Sequence, residues 1–286
     1  MKTLRSVTIV GVGLIGGSIG LALRQRNPTL KVVGVGSRPA TLETARQLGA
    51  ISAIATNLQE SVADSDLVVV CAPVDHIVEE VRKLALHCRP GALITDAGST
   101  KAAIVSELSA AATDSNWPSE VRFVGSHPLA GNEKKGPLHA RADLFTGRTV
   151  VITPTAASRP QDIRRLEDFW SGLGANVLQM PAEEHDSALA MTSHLPHLAA
   201  AAIAGATPER YVTLTAGGWQ DTTRIAAGDP TLWRQIMLSN RENLLAALGQ
   251  LTTLLNAWRV ALEAQDATEL ERLLTEAKRI RDAVGS

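Results

Sequence analysis

The hydrophobic pattern changes character near residue 180. Before it, short apolar runs alternate with amphipathic stretches. The runs predict strands over 5–10, 32–36, 67–71, 92–95, 122–125, 149–153 and 175–179. The stretches between them predict helices over 14–25, 39–48, 76–87, 101–112 and 159–173. The run Leu67-Val68-Val69-Val70-Cys71 has no polar alternation, as expected of a parallel strand buried on both faces. Strand–helix alternation of this kind predicts a doubly wound α/β sheet. From residue 181 the strand signals stop. Ala/Leu-rich helical segments follow over 182–207, 230–262 and 266–283, with Thr207-Pro208-Glu209 and Gly228-Asp229-Pro230 as breaks. The expected organisation is an α/β domain over 1–180 and an all-α C-terminal domain over 181–286. Leu244, Leu245, Leu248, Leu251, Leu254 and Leu255 form a broad apolar stripe in the latter. A helical half of this size has little area of its own in which to bury that stripe, so part of it is expected to form a homodimer surface.

The first strand runs into Gly11-Val12-Gly13-Leu14-Ile15-Gly16, and a helical pattern follows. Strand, glycine turn and helix together make a Rossmann-type dinucleotide site. Gly11 permits the turn, Gly13 lets backbone N–H groups approach a pyrophosphate, and Gly16 lets the helix lie close to the strand. Leu14 and Ile15 belong to the same loop, and Ala72 and Pro73 follow the third apolar run. The second strand ends at Ser37 and Arg38, where a site for NAD commonly has an acid on the ribose 2′-OH. A carboxylate would repel a 2′-phosphate, whereas Ser and Arg can donate to it. The expected cofactor is therefore NADP, with NAD possible.

Composition narrows the field. The 286 residues are 45% hydrophobic and 3% aromatic, with a net charge of −1. That gives no electrostatic footprint for nucleic acid or an anionic membrane, and no base-stacking surface. No apolar run reaches the ~18 residues of a membrane span, and the N-terminus lacks a signal-peptide pattern. Cys71 and Cys88 belong to no ligand cluster and read as incidental thiols of a reducing, cytoplasmic compartment.

Four polar clusters interrupt the apolar pattern. Asp96-Ala97-Gly98-Ser99-Thr100-Lys101 lies where a strand gives way to a helix, the edge at which ligands of open α/β sheets bind. Ser99 there reads as a helix N-cap, a ligand contact, or both. Gly125-Ser126-His127-Pro128 brings a histidine, the natural proton acceptor near neutral pH, toward the same edge. Ser193-His194-Leu195-Pro196-His197, with His185 upstream, places two histidines at helical spacing. Without a third ligand they favour hydrogen bonding or substrate contact over a metal. In Gly217-Gly218-Trp219-Gln220-Asp221-Thr222-Thr223-Arg224, Arg224 either pairs with Asp221 or offers its fork to a substrate carboxylate.

With the glycine loop and Asp229-Pro230-x-x-Trp233, these clusters resemble, in order and spacing, the prephenate/arogenate dehydrogenases of tyrosine biosynthesis. The resemblance spans nearly the whole chain. It implies a cyclohexadiene substrate, prephenate or arogenate, oxidised and decarboxylated with hydride transfer to NAD(P)+. His127 would take the C4 hydroxyl proton and Ser99 would hold that hydroxyl in register. Arg224 would clamp the ring carboxylate. His197, His185 and Glu133 would lie near the substrate's other end, and Trp233 near the ring. Where some members carry Lys this chain has Gln220, which bears on how the side chain of the substrate is read. Since His197 is present, prephenate is the expected substrate, with arogenate use or dual specificity the alternative. The helical half would form the dimer, with no mutase or regulatory module appended.

Two other readings compete. Dehydrogenases of 3-hydroxyacids or 6-phosphogluconate normally use a lysine in the helical half, and no Lys occurs between residues 136 and 277. A non-catalytic sensor of NADP(H) would have no use for Ser99, His127 and Arg224 together.

Overall fold

The computed structural model describes residues 4–55, 57–131 and 134–284. The Gly11–Gly16 turn is framed by β1 (Ser6–Val10) and α1 (Leu14–Arg26). Then come β2 (Lys31–Val35), α2 (Pro39–Gln47), β3 (Ala53–Ile54), α3 (Leu58–Val62), β4 (Leu67–Val70), α4 (Ile77–Ala85), β5 (Leu93–Asp96), α5 (Ala102–Ala111) and β6 (Arg122–Phe123). The six strands pair in parallel in the order β3-β2-β1-β4-β5-β6. This is the doubly wound order, reversing between β1 and β4. Strands β1, β4 and β5 are buried along their whole length. Val7, Ile9, Val69 and Leu93 enter one core, and Val10, Val68, Val70 and Ile94 enter the other. Alternate side chains thus serve helices on opposite faces.

A second sheet follows. The expected strand over 122–125 is two strands in two sheets: β6 ends at Phe123, and β7 (Gly125–Pro128) pairs antiparallel with β8 (Thr149–Thr153). After α6 (Pro160–Gly172), β9 (Asn176–Gln179) adds in parallel to β8. The switch passes through Gly125, where a Cβ would lie 2.5 Å from Thr153 Oγ1 and 3.0 Å from a Val105 methyl. The turn from β5 also brings Asp96 onto Ser126, so the two sheets are joined beneath the site.

The remainder is helical. The run over 182–207 is α7 (Ala182–Leu189), a π-helical turn over Ala190–His194, and α8 (Leu195–Ala206). A 3₁₀ turn (Glu209–Leu214), α9 (Gly217–Thr223) and a second 3₁₀ turn (Arg224–Ala227) lead into α10 (Pro230–Ser239). The expected helix over 230–262 breaks at Asn240, and α11 (Arg241–Glu263) and α12 (Ala267–Asp282) follow. By packing, the chain forms two compact units, residues 1–240 and 241–286. The second contains α11 and α12, and Asp266 caps α12 by accepting from Glu269 N at 3.0 Å. Among the described residues no helix is long and apolar enough to cross a membrane.

Candidate active site

The carboxyl ends of β1, β2 and β4 share one edge. Gly11 N donates to Val35 O at 2.8 Å, and Cys71 N to Val10 O at 2.7 Å. Gly11 has φ +89°, and a Cβ there would lie 2.5 Å from Cys71 O. A Cβ on Gly16 would lie 2.3 Å from Gly11 O. Only glycine lets the loop turn this tightly. Gly13 caps α1 without a side-chain hydrogen bond, has open space where a Cβ would be, and no acid lies in the first helical turn. A helix N-terminus so arranged fits a pyrophosphate. Ser37 and Arg38, exposed after β2, and Ala72 and Pro73, after β4, lie on the same edge of the sheet.

A cavity of about 1030 Å³ opens at Ser99, after β5, and His127, on β7. Its walls include His194, His197, Arg224 and Trp233. Of the residues singled out in the sequence, Ser99, His127, His197, Arg224 and Trp233 therefore meet at one cavity. Gln220 is exposed on α9 and is not among its walls. Glu133 lies outside the described residues. His185, expected beside the substrate, is fully buried on α7 behind His127: its Nε2 is 2.9 Å from His127 Nδ1.

Each wall is held from below. Ser99 does not cap α5. Asp186 reaches across from α7, accepting from Lys101 N at 2.7 Å and Ala102 N at 2.9 Å. The charged cap at the helix N-terminus comes from far along the chain. Asp186 Oδ1 also lies 2.7 Å from His185 Nδ1. Lys101 and Asp96 form a fully buried ion pair. Asp96 further accepts from Gly98 N at 2.9 Å and Ser126 N at 3.2 Å. Burial pulls the Lys101 ammonium below its ordinary pKa, against the opposing effect of Asp96.

The π-helical turn carries His194 to the wall. Pro196 has no N–H, so it cannot complete an α-helical ladder back to Thr192, and π-turns, rare in helices at large, are frequent at functional sites. Asn240 Nδ2 donates to Asp186 O at 2.7 Å and meets His194 Nδ1 at 3.1 Å. A neutral His194 accepting there carries its proton on Nε2. His197 stacks on Trp233, with ring centroids 3.5 Å apart and planes 12° from parallel. Its buried Nδ1 has no hydrogen-bond partner among the described residues, which leaves it available to a ligand.

The electrostatics favour neutral imidazoles. Burial, reinforced by the neighbouring His185, Lys101 and His194, pushes His127 well below the usual histidine range. Burial lowers His194 to about 4, and it lowers His197 too. At neutral pH His127 is a lone-pair donor beside a cationic wall residue. No cluster of metal-ligating side chains occurs among the described residues.

Asp186 and Asn240 were not expected as site residues, and His194 was singled out only together with His197, for hydrogen bonding or substrate contact. Asp186 had one visible signal, an acid next to His185 inside a helix. Its partners lie 84 and 85 residues upstream, beyond any local pattern.

A glycine loop that fits a dinucleotide, together with a cavity walled by a neutral histidine and an arginine, defines an oxidoreductase of the dehydrogenase class. Comparison with known proteins narrows this. Residues 19–179 match the family model of the prephenate dehydrogenase nucleotide-binding domain, and residues 181–276 that of the prephenate dehydrogenase dimerization domain. The chain belongs to the prephenate dehydrogenase family. It is 32% identical to the prephenate dehydrogenase of Bacillus subtilis, over 98% of this chain and 76% of that one. It is 33% identical to the cyclohexadienyl dehydrogenase of Zymomonas mobilis, over 99% and 97%. The crystal structure of Aquifex aeolicus prephenate dehydrogenase with hydroxyphenyl propionate and NAD+ superposes with a TM-score of 0.90 at 32% identity, covering 99% of each chain.

Proposed function

We propose that this protein oxidatively decarboxylates prephenate to 4-hydroxyphenylpyruvate, using a nicotinamide dinucleotide held by the Gly11–Gly16 loop. The observation that carries the proposal is the single cavity walled by His127, Ser99 and Arg224. A bound nicotinamide supplies the acceptor for the C4 hydride. The chain supplies the rest. Ser99 orients the C4 hydroxyl, and His127 takes its proton on Nε2, the ring nitrogen not engaged by His185. Arg224 binds the ring carboxylate until it leaves as CO₂, and loss of CO₂ leaves an aromatic ring. His197, stacked on Trp233 with Nδ1 unpartnered, contacts the substrate beside the ring.

The NADP reading rests on Ser37 and Arg38, exposed at the end of β2, where a 2′-phosphate would meet donors and no carboxylate. The similarity to a cyclohexadienyl dehydrogenase supports a second reading, that arogenate is also accepted. We further propose the functional division 1–180 and 181–286, supported by the two family models, which meet between residues 179 and 181. Homodimerisation through the helical part is supported by Leu245, Leu254, Leu255, Leu262, Leu274 and Ile280, apolar and exposed on α11 and α12. One assay tests the chemistry: prephenate and arogenate, each with NAD+ and NADP+, followed at 340 nm. Prephenate with NADP+ should be fastest. No rate with either substrate overturns the reading, and a strong NAD+ preference overturns the choice of cofactor.

A further inference from the structure

Three side chains stand in series behind the cavity. His127 on β7, His185 on α7 and Asp186 beside it are linked Nδ1···Nε2 at 2.9 Å and Nδ1···Oδ1 at 2.7 Å. His185 is fully buried and Asp186 nearly so. Both carboxylate oxygens of Asp186 already accept backbone N–H groups at the start of α5. The carboxylate is therefore fixed in place and acts as an acceptor only. That decides the protons down the series. His185 Nδ1 must donate to Asp186, so the Nε2 of a neutral His185 is bare. A bare Nε2 can bond His127 only if His127 carries its own proton on Nδ1. The lone pair of His127 is then left on Nε2.

We infer that Asp186 and His185 are positioning residues that hold His127 as the Nδ1–H tautomer, so that Nε2 is the proton acceptor for the substrate hydroxyl. The inference builds on the proposed oxidation. When Nε2 takes the proton, the new cation on His127 is bonded through His185 to the Asp186 carboxylate, which stabilises it without touching substrate. The Lys101 ammonium at the start of α5 opposes that cation, although it is already paired with Asp96, while His194 on the π-turn, its pKa lowered to about 4, is neutral. The Asp186–His185 pair offsets that surrounding positive charge as the proton arrives.

The test compares His185→Leu with His185→Gln in the full chain. Glutamine can accept from His127 Nδ1–H through its carbonyl while its amide faces Asp186; leucine can do neither. For His185→Leu the expected loss in kcat is ~10²-fold or more, with KM for prephenate within about threefold of wild type. His185→Gln should recover kcat to within about tenfold of wild type. A second readout needs no substrate: ¹⁵N-histidine NMR should report His127 protonated on Nδ1 in the wild type, and mixed or inverted in His185→Leu. The inference is overturned by His127 protonated on Nε2 in the wild type, or by equal kcat in the two variants. If the wild type turns over neither prephenate nor arogenate while the tautomer pattern holds, the functional reading fails and the positioning inference stands.

Discussion

Replacing Lys101 with Met tests the buried pair beneath the site. The substitution keeps most of the apolar stem and removes only the ammonium. Lys101 and Asp96 are both fully buried. Without Lys101 the Asp96 carboxylate keeps two backbone donors, Gly98 N at 2.9 Å and Ser126 N at 3.2 Å. Its charge is then uncompensated in the interior. Breaking a buried pair from one side costs about 3–5 kcal/mol. A unit of this size loses about 2 °C of Tm per kcal/mol, so the expected fall is ~6–10 °C. Calorimetry measures it directly. The double variant Asp96→Asn/Lys101→Met removes both charges and should recover a large part of the loss. A second effect has a definite sign: Lys101 holds the His127 pKa down, so its loss should raise that pKa and move the acid limb of kcat/KM to higher pH. A Tm drop under ~2 °C would refute the reasoning, because the pair would then contribute no more than an exposed one. An acid limb that stayed in place would refute the electrostatic half alone.

Other perturbations have equally direct readouts. His127→Asn should lower kcat by ~10² or more with cofactor Kd nearly unchanged, and an intact rate would remove His127 as the base. Arg224→Gln should raise KM for prephenate by ~10–150-fold, matching about 1.5–3 kcal/mol for a charged hydrogen bond; an unchanged KM would dismiss the clamp. Gly11→Ala should destabilise by ~2 kcal/mol or more in urea melts and abolish cofactor binding, since it combines φ +89° with a 2.5 Å approach to Cys71 O. Acid should destabilise the fold. His194 has a folded pKa near 4 against about 6.5 unfolded, so the unfolded chain binds the proton first and stability falls as pH drops from about 6.5 to about 4. This one group accounts for about 2 kcal/mol between pH 7 and pH 5, measurable by urea unfolding; a flat stability over that interval would contradict a buried neutral His194.

Much of this architecture is legible in the sequence where its cause is local. The glycine loop, the apolar strands β1, β4 and β5 and the helices between them follow from short-range pattern. Strand β3 and helix α3 do not, because two and five residues are too short to show a period. The split of 122–125 into two sheets depends on how Gly125 fits against Thr153 and Val105, and sequence proximity carries no trace of that. The site divides in the same way. Ser99, His127, His197, Arg224 and Trp233 stand out as polar or aromatic residues at element ends. His185 stands out too, but a motif gives only that it is near the chemistry. Its place behind His127, and the role of Asp186, depend on α7 packing against the start of α5.

The π-turn over Ala190–His194 also bears on how length changes would be tolerated. A π-turn carries one residue more than an α-helix spanning the same rise, so it holds an extra residue without turning α8 relative to α7. Deleting the exposed Met191 would leave α8 in place only if the turn closed to an α-helix, which Pro196 opposes; otherwise the start of α8 rotates by about 100°. His185 and Asp186 lie before that point, and His197 after it. In the second case the proton acceptor and its support stay while the Trp233-stacked histidine turns off the cavity wall. Within this helix, the spacing between the chemistry and substrate recognition is set by chain length as well as by side-chain identity.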